Sequence, residues 1–74
     1  MTAKNRNPIK GEIWRWIDDG SGTHEYYGAG ICLGWIDGYE GIEGPEGYVT
    51  FNFAERGVFN IPVEMVHRLM KKVK

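Results

Sequence analysis

The sequence predicts a small, mainly β domain. The chain has 74 residues, of which three are Trp, four are Tyr, three are Phe and 11 are Gly. A chain of this length forms one domain. Aromatic residues favour strands and glycines favour the tight turns between them, so we expect short strands rather than a helical bundle. Charged residues make up 26% and apolar residues 42% of the chain, which excludes a disordered chain.

The first strand is predicted for residues 12–17, where side chains alternate with the period of a β-strand. One face carries Ile13, Arg15 and Ile17, and the other carries Trp14 and Trp16. Both faces have large apolar groups, so the pattern leaves open which of them is the core. Residues 18–23 (DDGSGT) follow as a turn-rich loop.

The second strand is predicted for residues 27–36 and is followed by a loop over residues 37–47. Three glycines lie inside the strand: Gly28, Gly30 and Gly34. They indicate bulges, strong bending or the close approach of another segment. In the loop a glycine recurs at every third position, and three glutamates precede one each: Glu40, Glu43 and Glu46. We consider two interpretations, a solvated loop and an acidic prong that contacts a basic partner.

The third strand, residues 48–53 (YVTFNF), alternates most clearly. Its predicted buried side chains are Val49, Phe51 and Phe53. Residues 54–57 have hairpin length and end in Gly, and residues 58–61 return as a short strand. For the C-terminal segment, apolar residues at helical spacing favour a helix from Pro62 to about Lys72. The alternative is a single helical turn followed by a last strand.

The net charge of −1 hides an uneven distribution. Residues 1–15 and 57–74 each carry four basic residues and one acidic residue, which gives +3 for each segment. Residues 16–56 carry eight acidic residues and one Arg, which gives −7. An acidic middle repels phosphates and attracts a basic partner. The polar residues 1–10 are predicted to be a flexible basic tail, which precedes a single domain over residues 11–74.

Residue types that catalyse reactions or bind metals are few and scattered. Cys32 lies between Ile31 and Leu33 in a predicted strand, which indicates a buried, inert thiol. His24 and His67 lack the paired spacing of a metal site, and no nucleophile or phosphate-binding motif is present. The sequence therefore predicts no enzymatic activity, no cofactor and no metal. No apolar run has the length of a signal peptide or a spanning helix, so we expect a soluble, cytoplasmic protein.

The order of these elements resembles the SH3-like small barrel. Residues 61–69 (IPVEMVHRL) are similar to the end of signalling SH3 domains, where an Ile-Pro step enters a 3₁₀ turn and a Val and a final Leu follow. The resemblance implies a five-stranded small barrel with a C-terminal 3₁₀ turn or short helix. It makes residues 18–26 the first loop, residues 37–46 the second loop and residues 54–57 the distal hairpin. It also implies that the first two loops flank one face.

A second likeness is to the small plasmid-encoded type II dihydrofolate reductases, which are also SH3-like barrels and work as tetramers. Residues 44–49 (GPEGYV) and 61–63 (IPV) are similar to pieces of these enzymes. Their active pore depends on a Val-Gln-Ile-Tyr strand, whereas residues 58–61 here are Val-Phe-Asn-Ile. The likeness therefore implies the barrel without the catalytic signature.

We expect a non-enzymatic protein-binding module, of the kind that serves as a small regulator or inhibitor, including in phages and mobile elements. Its acidic, aromatic-edged loops would engage a basic protein surface or peptide through ion pairs and cation–π contacts. The predicted partner-binding residues lie in or beside the first two loops: Asp18, Asp19, Glu25, Tyr26, Tyr27, Trp35, Asp37, Tyr39, Glu40, Glu43 and Glu46.

Nucleic acid is the alternative partner. It would use basic residues from the two chain ends: Lys4, Arg6, Lys10, Arg15, Arg68, Lys71, Lys72 and Lys74. Exposed Trp14 and Trp16 would then be stacking platforms for single-stranded bases. Self-association is a further expectation, because the core of so small a chain is marginal. A membrane is not an expected partner.

Overall fold

Five strands form one antiparallel sheet in the computed structural model of the chain, which describes residues 7–37 and 46–73. In chain order the elements are β1 (Ile13–Trp16), α1 (Thr23–Tyr27), β2 (Ala29–Ile36), β3 (Tyr48–Phe53), β4 (Gly57–Pro62), α2 (Val63–Leu69) and β5 (Met70–Lys72). Their order across the sheet is β4-β3-β2-β1-β5. The prediction of a mainly β domain with five strands is confirmed. The sheet is not closed, and β4 and β5 are its two edges.

The hairpin of β3 and β4 forms as the sequence predicts. Val49, Phe51 and Phe53 are each 0% exposed, so the predicted buried face of β3 is confirmed. The Phe53 carbonyl accepts a hydrogen bond from the Arg56 amide at 2.9 Å. Gly57 has a φ of +94°, a conformation that other residues rarely adopt, and β4 begins there. Turn chemistry and side-chain alternation therefore fix the same register.

The tryptophan face of β1, and not its isoleucine face, is buried in the core. Trp14 and Trp16 are each 6% exposed and belong to the core, whereas Ile13 is 40% exposed and Arg15 points to solvent. Burying indoles removes more apolar area from water than burying isoleucines. The predicted use of Trp14 and Trp16 as exposed stacking platforms for bases is therefore wrong.

β2 contains the bulge and the close approach that its glycines indicate. Its register with β3 shifts between Cys32 and Gly34. Cys32 is 1% exposed, so its predicted burial is confirmed. A Cβ atom on Gly30 would lie 2.7 Å from two carbons of the Phe53 ring. Glycine at this position therefore allows the ring to pack directly against the β2 backbone.

The C-terminal segment contains both a helix and a last strand. α2 begins at Val63, directly after Pro62, and buries Val63 and Val66. It ends at Leu69, because the next three residues pair with β1 as β5. The prediction of a helix to about Lys72 is wrong at its C-terminal end. The alternative is right about the last strand, but α2 has seven residues rather than a single helical turn.

Residues 7–10, which the sequence assigns to a flexible tail, pack against the domain. Asn7 is 3% exposed and the Pro8 side chain is fully buried. The Trp35 indole donates a hydrogen bond to the Pro8 carbonyl at 2.9 Å, and the Asn7 Oδ1 atom lies 2.9 Å from the His67 Nε2 atom. Asn7 and Pro8 are therefore packed against the sheet and α2 rather than exposed. Residues 1–6 lie outside the described residues.

A mostly buried carboxylate joins this N-terminal segment to the sheet. Glu12 Oε1 accepts hydrogen bonds from the Ile9 amide at 2.9 Å and from the Trp14 indole at 3.2 Å. Its other oxygen, Oε2, lies 3.4 Å from the Lys72 ammonium. One side chain thus connects the segment before β1, β1 itself and β5.

We expect Gly30→Ala to lower the free energy of unfolding by about 1–3 kcal/mol, because the new methyl group would overlap the Phe53 ring. Urea unfolding followed by tryptophan fluorescence measures the change. Ala29→Val is the control, since it adds bulk to an exposed position of the same strand. Equal stability of the Gly30→Ala variant and the wild type would show that the Phe53 ring can move at no cost.

Candidate protein-binding groove

The first connector, residues 17–28, contains a helix that the sequence does not predict. The pattern assigns Tyr27 to the second strand, but Tyr27 is the last residue of α1 and β2 begins at Ala29. The Tyr27 ring contacts four other rings, with centroid distances of 4.9 Å to Tyr26, 5.7 Å to Trp16, 5.2 Å to Phe53 and 5.4 Å to Phe59. Tyr27 therefore anchors the acidic connector to the aromatic core.

A half-open cavity of about 300 Å³ lies between this connector and α2. We call it the groove, and its lining residues are Trp16, Ile17, Asp19, Thr23, Tyr27, Ile61, Met65 and Leu69. They come from the end of β1, the connector, the end of β4 and α2. The lining brings together aliphatic side chains, two aromatic side chains, one hydroxyl from Thr23 and one carboxylate.

The groove has an apolar floor. Trp16 is 6% exposed and Ile61 is 8% exposed, while Met65 at the rim is 36% exposed. An apolar side chain that entered the groove would remove its own surface and part of the Met65 side chain from water, which favours binding. The Trp16 indole Nε1 is buried and has no hydrogen-bond acceptor within the described part of the chain. A buried donor without an acceptor is costly. The Trp16 indole in the groove floor therefore keeps a hydrogen-bonding capacity that the described residues do not meet.

Two carboxylates stand at one side of the groove. Asp18 Oδ1 accepts a hydrogen bond from the Gly20 amide at 3.1 Å and lies 3.6 Å from His24 Nδ1. Asp19 Oδ1 accepts two hydrogen bonds from Ser21, from its amide at 2.9 Å and from its hydroxyl at 2.6 Å. Over residues 7–37 and 46–73, neither carboxylate forms an ion pair with a Lys or Arg side chain. These hydrogen bonds fix the direction of both acidic groups, whose charges no Lys or Arg side chain of the described residues offsets.

The pKa of Asp19 is held below its usual value. The hydrogen bond from the Ser21 hydroxyl is the main cause, followed by the one from the Ser21 amide. Both bonds favour the charged form of the carboxyl group. Asp19 therefore stays negative to a lower pH than an ordinary Asp, and the groove wall keeps its charge at neutral pH.

Tyr26 already has a cationic partner in its own chain. It is 54% exposed, and the Arg56 guanidinium carbon lies 3.8 Å above its ring centroid. Arg56 Nε also donates a hydrogen bond to the Tyr26 carbonyl at 2.9 Å. One face of the Tyr26 ring is thus covered by Arg56, which is the one Lys or Arg residue of the acidic middle segment, residues 16–56.

The predicted partner-binding residues do not all lie at one surface of the structure. Asp19 and Tyr27 line the groove, and Asp18 adjoins it in the connector. Glu25 and Tyr26 line a second, smaller cavity of about 140 Å³, which has Tyr27 as a common wall.

Three predicted residues are described but do not line either cavity. Trp35 packs against the core, and its indole donates to the Pro8 carbonyl, so its role is structural. Asp37, with a φ of +56°, follows β2, and Glu46 precedes β3; both are exposed. The remaining three, Tyr39, Glu40 and Glu43, lie outside the described residues.

The apolar half of the groove is absent from the sequence-based set. Met65 and Leu69 lie four residues apart on α2 and therefore share one helix face. The apolar stripe that predicts a helix consists of Val63, Val66, Met70 and Val73. The first three are buried in the core, whereas Val73 lies after β5 and is exposed. Met65 and Leu69 form a second apolar pair beside that stripe. Because the core needs only one face of so short a helix, this pair was the signal in the sequence for an apolar surface outside the core.

The remaining reactive groups give no further site. Among the described residues, no three His, Cys, Asp or Glu side chains are grouped so that they could hold a metal ion. The same residues contain no helix that is both long enough and apolar enough to cross a bilayer.

No protein-family model, curated protein or solved structure matches this chain. The resemblances to SH3-like barrels and to type II dihydrofolate reductases therefore stay predictions. The function has to be inferred from the groove itself.

We expect Ser21→Ala to raise the pKa of Asp19 toward its usual value, because the substitution removes the hydroxyl that contributes most to the lowering. Part of the shift remains, since the residue 21 amide still donates. An NMR titration of the Asp19 carboxyl carbon measures the midpoint. Thr50→Ala, which removes a hydroxyl bonded to Asn60, is the control and leaves that midpoint unchanged. An unshifted Asp19 midpoint in Ser21→Ala would contradict the assigned cause.

Proposed function

We propose that this protein is a non-enzymatic binding module that captures a basic segment of a partner protein, as a small cytoplasmic regulator or inhibitor. An apolar side chain of the partner enters the groove, and a neighbouring Lys or Arg meets Asp18 and Asp19. The observation that carries the proposal is the position of Asp19, whose charged carboxylate lies in the wall of a mostly apolar cavity.

The size of the groove supports a protein ligand rather than a cofactor. Its volume of about 300 Å³ is at the lower end of the range of roughly 300–1,000 Å³ found for small-molecule sites. Such a space suits one or two side chains of a larger partner. The rest of the contact would lie on the exposed rim, where Met65 and Asp18 stand.

The distribution of charge supports a basic partner. Residues 16–56 have eight acidic residues and only Arg56 as a basic one, and Arg56 is engaged by Tyr26. An acidic surface raises the rate at which a basic partner is encountered and disfavours acidic competitors. Apolar insertion therefore supplies affinity, and the carboxylates supply selection of the partner.

Nucleic-acid binding is the second candidate, on different residues. β1 and β5 place Arg15 directly opposite Lys71, so basic residues from the two ends of the chain are neighbours on one sheet edge. Like charges at opposed positions destabilise a sheet unless an anion lies nearby. With both tryptophans of β1 buried, this candidate rests on phosphate contacts alone and predicts weak, salt-sensitive binding.

The test is an NMR titration of the labelled protein with short synthetic peptides that carry a Leu and neighbouring Arg residues. We expect shifts of the amides that line the groove, above all those of Ile17, Thr23, Met65 and Leu69. Matched peptides with Glu in place of Arg should give no shifts. Shifts confined to other surfaces, or none with any Arg peptide at millimolar concentration, would exclude the proposal.

The charge contribution is measured with Asp19→Asn. This variant should weaken binding of the Arg peptide by about two- to fivefold, the range for an exposed ion pair. Asp37→Asn is the matched control, because it removes an equal charge from the acidic segment outside the groove. Equal affinities for the two variants would show that overall charge, and not the groove wall, attracts the peptide.

A further inference from the structure

We propose that β4 is an interaction edge on which a second copy of this chain adds its own β4, antiparallel and across a two-fold axis. The resulting dimer has one continuous sheet. The exposed part of this strand, residues 57–60, does not line the groove, which β4 reaches only at Ile61. The proposal does not depend on the proposed function.

The two edges of the sheet differ in their protection against strand addition. Proteins protect exposed edges by making them short or by placing lysines on them. β5 has both devices, since it has three residues and carries Lys71 and Lys72. β4 has neither of these devices, because its six residues, Gly57–Pro62, include no charged side chain. Its one protective residue is Pro62, which is the last residue of the strand and leaves residues 57–61 without such protection. Its ladder with β3 runs without a register shift, so the edge also lacks a protective bulge.

The β4 edge is open to solvent in the described structure. All four residues from Gly57 to Asn60 are exposed. Val58 is 59% exposed and Phe59 is 36% exposed, although both are large apolar residues. A long, apolar and uncharged edge offers unpaired backbone groups and apolar area together, which favours the addition of another strand.

The lack of charge in β4 favours a second copy as the occupant. A two-fold axis places each residue of a strand near its own counterpart, so charged residues near the axis would repel each other. β4 avoids this repulsion along its whole length. A peptide chosen for its charge, such as the ligand of the groove, would find no complementary group on this strand.

The aromatic residue of β4 gives the expected register. The Phe59 ring contacts Tyr27 at 5.4 Å and Phe53 at 6.0 Å between centroids, and its outer side remains exposed. Pairing Phe59 with Phe59 of the second copy would place two rings side by side across the axis. Cross-strand aromatic pairs of this kind stabilise antiparallel sheets. The ring cluster would then continue from one chain into the other.

Sedimentation equilibrium of the full chain over a range of concentrations tests the proposal. We expect the wild type to reach twice the chain mass of 8.4 kDa. Val58→Lys should raise the dimer dissociation constant by at least about tenfold, because lysine is the residue with which natural edges prevent pairing. Val73→Lys is the matched control, since Val73 is 44% exposed beside the other edge and should leave dimerisation unchanged.

Hydrogen exchange measured by mass spectrometry keeps the test decisive if Val58→Lys also lowers stability. In the wild type the β4 amides should exchange more slowly as concentration rises, while the β5 amides should not change. A wild type that is monomeric at every concentration would overturn the proposal, even if added peptides paired with β4. A dimer whose β4 amides stay unprotected, or one that Val73→Lys disrupts and Val58→Lys does not, would overturn it equally.

Discussion

The structure depends on one constraint: the four buried aromatic side chains of the described residues share one face of a single open sheet, and that face has to be covered. Those side chains are Trp14, Trp16, Phe51 and Phe53. A sheet can bury a face only against another layer. In this chain the layer is assembled from short pieces, α1 through Tyr27 and α2 through Val63 and Val66. The groove lies between these two helices, which leave the space between them unfilled.

How far the fold follows from the sequence depends on how different the two faces of each strand are. β3 was predictable, because Phe51 and Phe53 alternate with polar residues. β1 was not, since isoleucines oppose tryptophans and only the packed structure decides between them. The end of α2 at Leu69 was also beyond local reasoning, because the helical pattern continues to Val73. Long-range pairing of β5 with β1 overrides it.

The candidate site was half predictable for the same reason. Charge is visible in a sequence, so Asp18 and Asp19 could be singled out before the fold was known. The apolar wall formed by Met65 and Leu69 could not be distinguished from core without knowing how much of α2 is covered. Arg56 contacts the ring and the carbonyl of Tyr26, although the two residues are 30 positions apart in the chain. No local sequence pattern indicates such a contact.

The burial of Cys32 has a practical consequence. It is the only cysteine of the chain and is 1% exposed at the centre of β2, beside the bulge. An alkylating reagent can reach its sulfur only when the middle of the sheet opens. The alkylation rate of the native protein therefore reports the opening of the sheet around Cys32, without any engineered label.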